Sequence, residues 1–216
     1  MAFVTMWNPS DKNADITLSN ENLTALQAAA SIGWITVRNV TSKSSGKWYM
    51  ELVVDNSGGV GLEDMIFGLA DSALSLNTFV GNSPASWGYH GPNGYTYHNG
   101  SATAYGTIWQ TGDVIGCAFD MGTGKIWFAR NNVWQNSGDP VAQTNEAYSN
   151  LAGTLYPAIS MYRPGQQLSG IFADDYLTYT PPVGYLPLEI LELTEPILVF
   201  ERQKIQKVFI YEKVKG

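Results

Sequence analysis

The chain has a single cysteine, Cys117, in 216 residues. An intrachain disulfide is therefore excluded, and stability has to come from burial. Charge is also scarce, at 14% of residues, and the balance is acidic, −7 at pH 7 with a pI of about 4.7. Nucleic acid as the main partner would require a basic face to neutralise phosphates, so this composition argues against it. No run of about 18 apolar residues is present, so no membrane insertion is expected. The opening MAFVTMWNPSDKN has neither a charged n-region nor an apolar h-region, so no secretory signal is expected either. The expectation is a soluble protein made in a cytoplasm.

Catalytic and metal-binding patterns are equally sparse. There is no G-x-S-x-G, no H-E-x-x-H and no glycine-rich phosphate loop ahead of a helix. The two histidines, His90 and His98, flank a turn and could face each other across strands. Zinc needs three or four protein ligands, however, and the nearest acids, Asp71 and Asp113, are not held close by spacing. The adjacent Asp174 and Asp175 do not by themselves supply a calcium shell. Asp71, Asp113, Asp120 and Asp139 sit at strand ends, where aspartate most often caps a turn. Cys117 lies in the apolar run DVIGCAFDM and reads as a small core residue. No catalytic residue, metal or cofactor is expected.

Hydrophobic residues make up 44% of the chain, with 22 glycines, 7 tryptophans and 12 tyrosines. That suits many short strands joined by tight turns. In GKWYMELVVD, Trp48, Met50, Leu52 and Val54 fall on one face, and Tyr49, Glu51 and Val53 on the other. Further strands are expected in 32–39, 65–71, 112–121, 124–131, 155–162 and 168–173. MGTG (121–124) reads as a hairpin turn in which Gly122 and Gly124 can take positive φ. Only NLTALQAAAS (22–31) has helical propensity, and a loop or strand fits it as well. Strands without intervening helices point to an all-β sandwich of two antiparallel sheets.

The stretch SWGYHGPNGYTYHNG, Ser86 to Gly100, concentrates aromatics, glycines and both histidines. It reads as strand, turn, strand, with the turn at Pro92-Asn93-Gly94. Trp87 and Tyr89 share one side, and Tyr95 and Tyr97 share a side across the turn. The rings can fill the sandwich, or they can face a ligand as rigid amphipathic contact area. Trp87 is expected in the core. His90, Asn93, Tyr95 and Tyr97 are ligand-binding candidates, with His90, Asn93 and Tyr95 expected to be the better exposed. Two strand-end pairs join them as ligand-binding candidates, Tyr162 with Arg163 and Arg130 with Asn131. Arg163, beside Tyr162, can stack on a ring and hold a carboxylate or a carbonyl. Arg130 precedes Asn131, which turns the chain.

Composition shifts near YTPPVGYLPLEI, and a boundary is placed after residue 185. The seven basic and fourteen acidic residues up to it net −7, while five of each beyond it net zero. The tail, 186–216, holds two strand-like runs, PILVFER and KVFIYEKV. A hairpin packed on its own domain or an arm pairing with another chain both fit, since an isolated hairpin is marginal in water. The docking candidates are Ile197, Val199, Phe200, Val208, Phe209, Ile210 and Tyr211.

The ordered set WNPSDKNADITLSNENLTA, GKWYMELVV, FGLAD, SWGYHGPNGYTYHNG, GDVIGCAFDMGTGKIWFARNN and LYPAISMY resembles the SPRY domain family over about residues 5–185. With WNPSDK near the start and YTPPVGY at the end, it is similar to SPRY proteins encoded by tailed bacteriophages. The resemblance implies a SPRY-type bent β-sandwich, related in shape to concanavalin-like lectins, with the added C-terminal β arm. It also implies a non-enzymatic binding module whose loops at one end meet a partner. The implied role is a virion component, assembled in the host cytoplasm, such as a tail fibre. It would recognise a host surface protein or glycan and attach to other virion proteins through the arm, as a homo-oligomer. A capsid or tail decoration protein, an intracellular peptide-binding adaptor and a glycan-cleaving enzyme are the alternatives.

Overall fold

A computed structural model describes residues 5–28, 32–58 and 64–189. Numbered along the chain, one sheet runs in the order β1 (Trp7–Lys12), β4 (Ile35–Asn39), β13 (Tyr156–Met161), β6 (Met65–Ala70), β7 (Ser86–His90), β8 (Tyr95–His98), β9 (Ser101–Ala104). The other runs β12 (Val133–Trp134), β11 (Lys125–Arg130), β10 (Val114–Asp120), β5 (Lys47–Asn56), β14 (Gln167–Ile171), β3 (Thr24–Gln27), β2 (Ile16–Ser19). Neighbours in both are antiparallel. The two sheets enclose the all-β core expected of the sandwich.

Alternation sets what each strand buries. Met50, Leu52 and Val54 of β5 enter the main core with Phe67, Leu69, Trp87, Tyr89, Phe119, Phe128 and Ile159. Cys117 is buried there too, and burial raises its thiol pKa well above the ordinary value. The odd positions of β5 face outward, where a second layer covers Tyr49 and Glu51. Tyr49 packs with Ala118, Trp127 and Tyr185. Glu51, fully buried, accepts hydrogen bonds from the Thr178 and Tyr179 amides at 2.7 and 2.9 Å. The outer side of the first sheet is covered in the same way, by Leu74 and Val80 against Ile66, Ala70 and Ala158.

Several expectations change. Of the readings open for NLTALQAAAS, the strand holds at Thr24–Gln27, which forms β3 with Ala25 in the core and Thr24 paired with Ser169. In MGTG only Gly124 takes positive φ, at 70°. Asp120 closes that turn by accepting the Gly122 and Thr123 amides. Past residue 185 the chain continues on the sandwich. Leu186–Pro187 forms β15, parallel to β5 at Trp48 and Tyr49, and Leu188 is buried in the main core. The boundary drawn from composition therefore does not mark the end of the packed domain. Ile197, Val199, Phe200, Val208, Phe209, Ile210 and Tyr211 lie outside the described residues.

Candidate functional site

The turn after β7 organises one end of the sandwich. Asn93 Oδ1 accepts from the Tyr95 amide at 2.9 Å and from His90 Nδ1 at 2.9 Å, so the His90 proton sits on Nδ1. Gly94, at φ 68°, brings the turn against the next loop, and its carbonyl accepts from the Gly106 amide at 2.8 Å. The loop 105–109 is held from the other side by Gln135, whose Oε1 accepts from the Thr107 amide at 2.8 Å. Gln135 Nε2 donates to the Val133 carbonyl at 2.7 Å. Three segments, 91–95, 105–109 and 130–136, are thereby fixed side by side.

Beyond the turn, on the outer face of the first sheet, lies an aromatic cluster. Trp34 packs on Phe79, Tyr162 and His90, with ring centroids at 5.2, 5.1 and 6.1 Å. The Tyr97 ring meets His90 edge-on at 5.3 Å. Arg163 lies over the Tyr162 ring, 5.5 Å from its centroid, and donates to Asp64 at 3.0 Å. His90 Nε2 lies 3.8 Å from the same carboxylate. Burial pulls the His90 pKa below its ordinary value, against the opposing influence of Asn93 and Asp64.

On the other side of the 105–109 loop is an open cleft of about 460 Å³, lined by Thr107, Arg130, Asn131, Val133, Trp134 and Gln135 among others. Asp113 fixes its polar wall. One oxygen accepts from Arg130 Nε at 2.9 Å and the other from Asn131 Nδ2 at 2.7 Å. Around this end Val133 is 66% exposed, Ile108 52% and Tyr95 39%. Apolar side chains thus stand in the open beside Arg130 and Asn131, both held by Asp113.

The eight candidates thus divide. His90, Asn93, Tyr95, Tyr97, Tyr162 and Arg163 gather around the turn and the aromatic cluster, while Arg130 and Asn131 line the cleft. His90 is buried, contrary to the expectation of exposure, because Trp34 and Tyr97 close over it; Asn93 and Tyr95 are exposed. Trp87 is core, as expected. His98 lies on the opposite face of the sheet from His90. It stacks on Trp87 at 4.9 Å, donates from Nδ1 to the Ser86 carbonyl and accepts at Nε2 from Asn150. Among the described residues no group of three or more His, Cys, Asp or Glu is placed to hold a metal. No helix there is long and apolar enough to cross a membrane. Asp71, Asp120 and Asp139 cap turns through their side chains. Trp34, Phe79, Asp64, Ile108, Val133 and Gln135 were not singled out in the sequence. Only the exposed apolar Ile108 and Val133, beside turn residues, carried a local signal.

Residues 47–175 match the SPRY domain family. The chain belongs to the SPRY domain family. It is 27% identical over 175 residues to the Ran-binding proteins 9/10 homolog of Drosophila melanogaster, an alignment covering 78% of this chain and 17% of that protein. Human Ran-binding protein 9 is 27% identical over 176 residues, covering 77% of this chain and 22% of that one. The chain therefore spans less than a quarter of the length of these two relatives. Among solved structures, the SPRY domain of human HERC1 superposes with a TM-score of 0.62 at 18% identity, over 76% of this chain and 96% of that one. The resemblance to SPRY proteins is thereby established at the level of fold and family, and that family is one of protein-binding modules.

Proposed function

We propose that this SPRY domain is the recognition module of a phage virion component, non-enzymatic, and that its loop end binds a host surface protein. The observation that carries this reading is the exposure of Val133 in a cleft whose Arg130 and Asn131 are held by Asp113, with Ile108 and Tyr95 exposed on the adjoining loop and turn. A surface of that kind gains free energy by covering apolar area without having to strip paired charges. The relatives are named for binding a protein, Ran, which favours a protein ligand over a glycan. The phage assignment rests on WNPSDK at the start and YTPPVGY at the end. With it go assembly in the host cytoplasm, homo-oligomerisation, and attachment to other virion proteins through the tail beyond Glu189. Against glycan cleavage, which needs two carboxylates flanking one bond, the loop-end cleft has none in its lining.

The test is adsorption of the purified chain to cells of candidate bacterial hosts. The expected result is saturable adsorption that is lost when the cells are treated with protease. Tyr95→Ala combined with Val133→Asp should weaken it about tenfold or more, with the melting temperature nearly unchanged. Adsorption indifferent to these substitutions would refute the loop-end site, and adsorption that survives protease but not periodate would make the ligand a glycan.

A further inference from the structure

A slot on the outer face of the second sheet shares no lining residue with the loop-end cleft and is independent of that reading. It encloses about 250 Å³, and its lining includes Leu23, Val53, Asp55, Ser169, Ile171 and Tyr176. Val53 and Ile171 reach it because Leu52, Val54 and Leu168 take the inward positions of β5 and β14. The floor is therefore aliphatic, and no lysine, arginine or histidine is among the lining residues.

One carboxylate stands in this apolar setting, and it is held in place. Ser169 Oγ donates to Asp55 Oδ2 at 2.6 Å. The Ser169 proton being committed, the Thr24 hydroxyl donates to Ser169, at 2.7 Å. Asp55 Oδ1 has no hydrogen bond or ion pair to the described residues. Asn20, on the rim, belongs to a turn of unusual backbone. Asn20, Glu21 and Asn22 take φ of 52°, 56° and 64° in succession, closed by the Leu23 amide on the Asn20 carbonyl at 3.0 Å. Consecutive left-handed residues other than glycine are costly, and such strain collects where a side chain must be presented.

We propose that this slot takes the side chain of a lysine on a partner protein. The methylenes lie along Val53 and Ile171 and the ammonium binds Asp55 Oδ1. A single available oxygen suits a point charge, whereas the guanidinium fork of arginine is best met by both carboxylate oxygens. The chain's net charge of −7 favours partners with basic surfaces.

The experiment follows the methyl signals of Leu23, Val53 and Ile171 in the full chain while acetyl-Ala-Lys-Ala-amide is added. Saturable shifts at these methyls are expected. The norleucine peptide, or the lysine peptide with Asp55→Asn, should bind about tenfold more weakly or less. Core signals of Val37 and Ile159 report that the variant is folded. No shift, or equal shifts with norleucine or in Asp55→Asn, overturns the site. Equal affinity for the arginine peptide overturns the preference for an ammonium. A chain with Lys204, Lys207, Lys213 and Lys215 changed to Gln should leave the three methyls unmoved before peptide is added. Movement there would give the slot to the chain's own tail and overturn the assignment to a partner.

Discussion

Glu51 is a charged residue with no exposure, and its surroundings explain how that is tolerated. Two backbone amides and the Tyr49 hydroxyl, at 2.9 Å, donate to one carboxylate, which offsets the desolvation of a buried charge. Burial raises the Tyr49 pKa, and the neighbouring Glu51 charge and hydrogen bond raise it further. Glu51→Ala leaves the Thr178 and Tyr179 amides and the buried Tyr49 hydroxyl without this partner. A loss of about 3 kcal/mol or more in urea unfolding is expected, with faster hydrogen exchange at Thr178 and Tyr179. Wild-type exchange there would show that Glu51 does not hold this segment. His90 gives a pH dependence. Its folded pKa is depressed from the ordinary 6.5. Between the two values the unfolded chain binds a proton that the folded chain does not. Stability is therefore intact above 6.5, falls as pH drops through it, and levels off below the folded value. In His90→Gln the loss of stability between about pH 7.5 and about pH 5.5 should shrink; an unchanged loss would place its origin elsewhere.

At the scale of elements, what the sequence made legible follows from which faces are covered. β10 and β11 alternate or run apolar because both meet the core, and they were readable for that reason. β9 is exposed at all four residues, Ser101 to Ala104, so no apolar pattern announces it. β3 is hidden by the alanines that give its segment helical propensity, which tertiary pairing overrides. The turn at Pro92-Asn93-Gly94 was legible from local chemistry, but the reason Gly94 is needed is not local. A Cβ there would lie 2.3 Å from the Gly106 carbonyl oxygen, at a φ of 68°. Gly94→Ala should therefore cost about 2 kcal/mol or more, measured by thermal unfolding. It should also part the 91–94 turn from the 105–109 loop, moving the amide signals of Gly106 and Thr107 together. The candidate site shows the same divide. Asn93, Tyr95 and Arg163 were visible as turn and strand-end residues. Gln135, which ties two loops together, carries no mark in the sequence, because its role depends on a partner 28 residues away.

For the whole molecule the question is where the packed domain ends. Proline content placed a boundary after residue 185, yet Leu188 is 4% exposed in the main core. The Glu189 amide donates to the Phe172 carbonyl at 2.9 Å, and the Glu189 carboxylate accepts from the Thr5 amide at 3.0 Å. The last described residues thus tie the start of the chain to the end of β14. Prolines stop regular pairing across 181–182, but they do not prevent the chain from returning to the sheet, since β15 takes the place beside β5 that β14 leaves at Ile171. Two truncations separate the possibilities. A chain ending at Glu189 keeps every contact described for the sandwich and should unfold at the temperature of the full chain. A chain ending at Tyr185 loses Leu188 from the core together with the Thr5 and Phe172 bonds. It should be destabilised by about 3 kcal/mol, a fall of several degrees in melting temperature. If both truncations melt together with the full chain, the segment after Tyr185 contributes nothing to the domain. If both melt lower, part of the sandwich's stability comes from residues past Glu189.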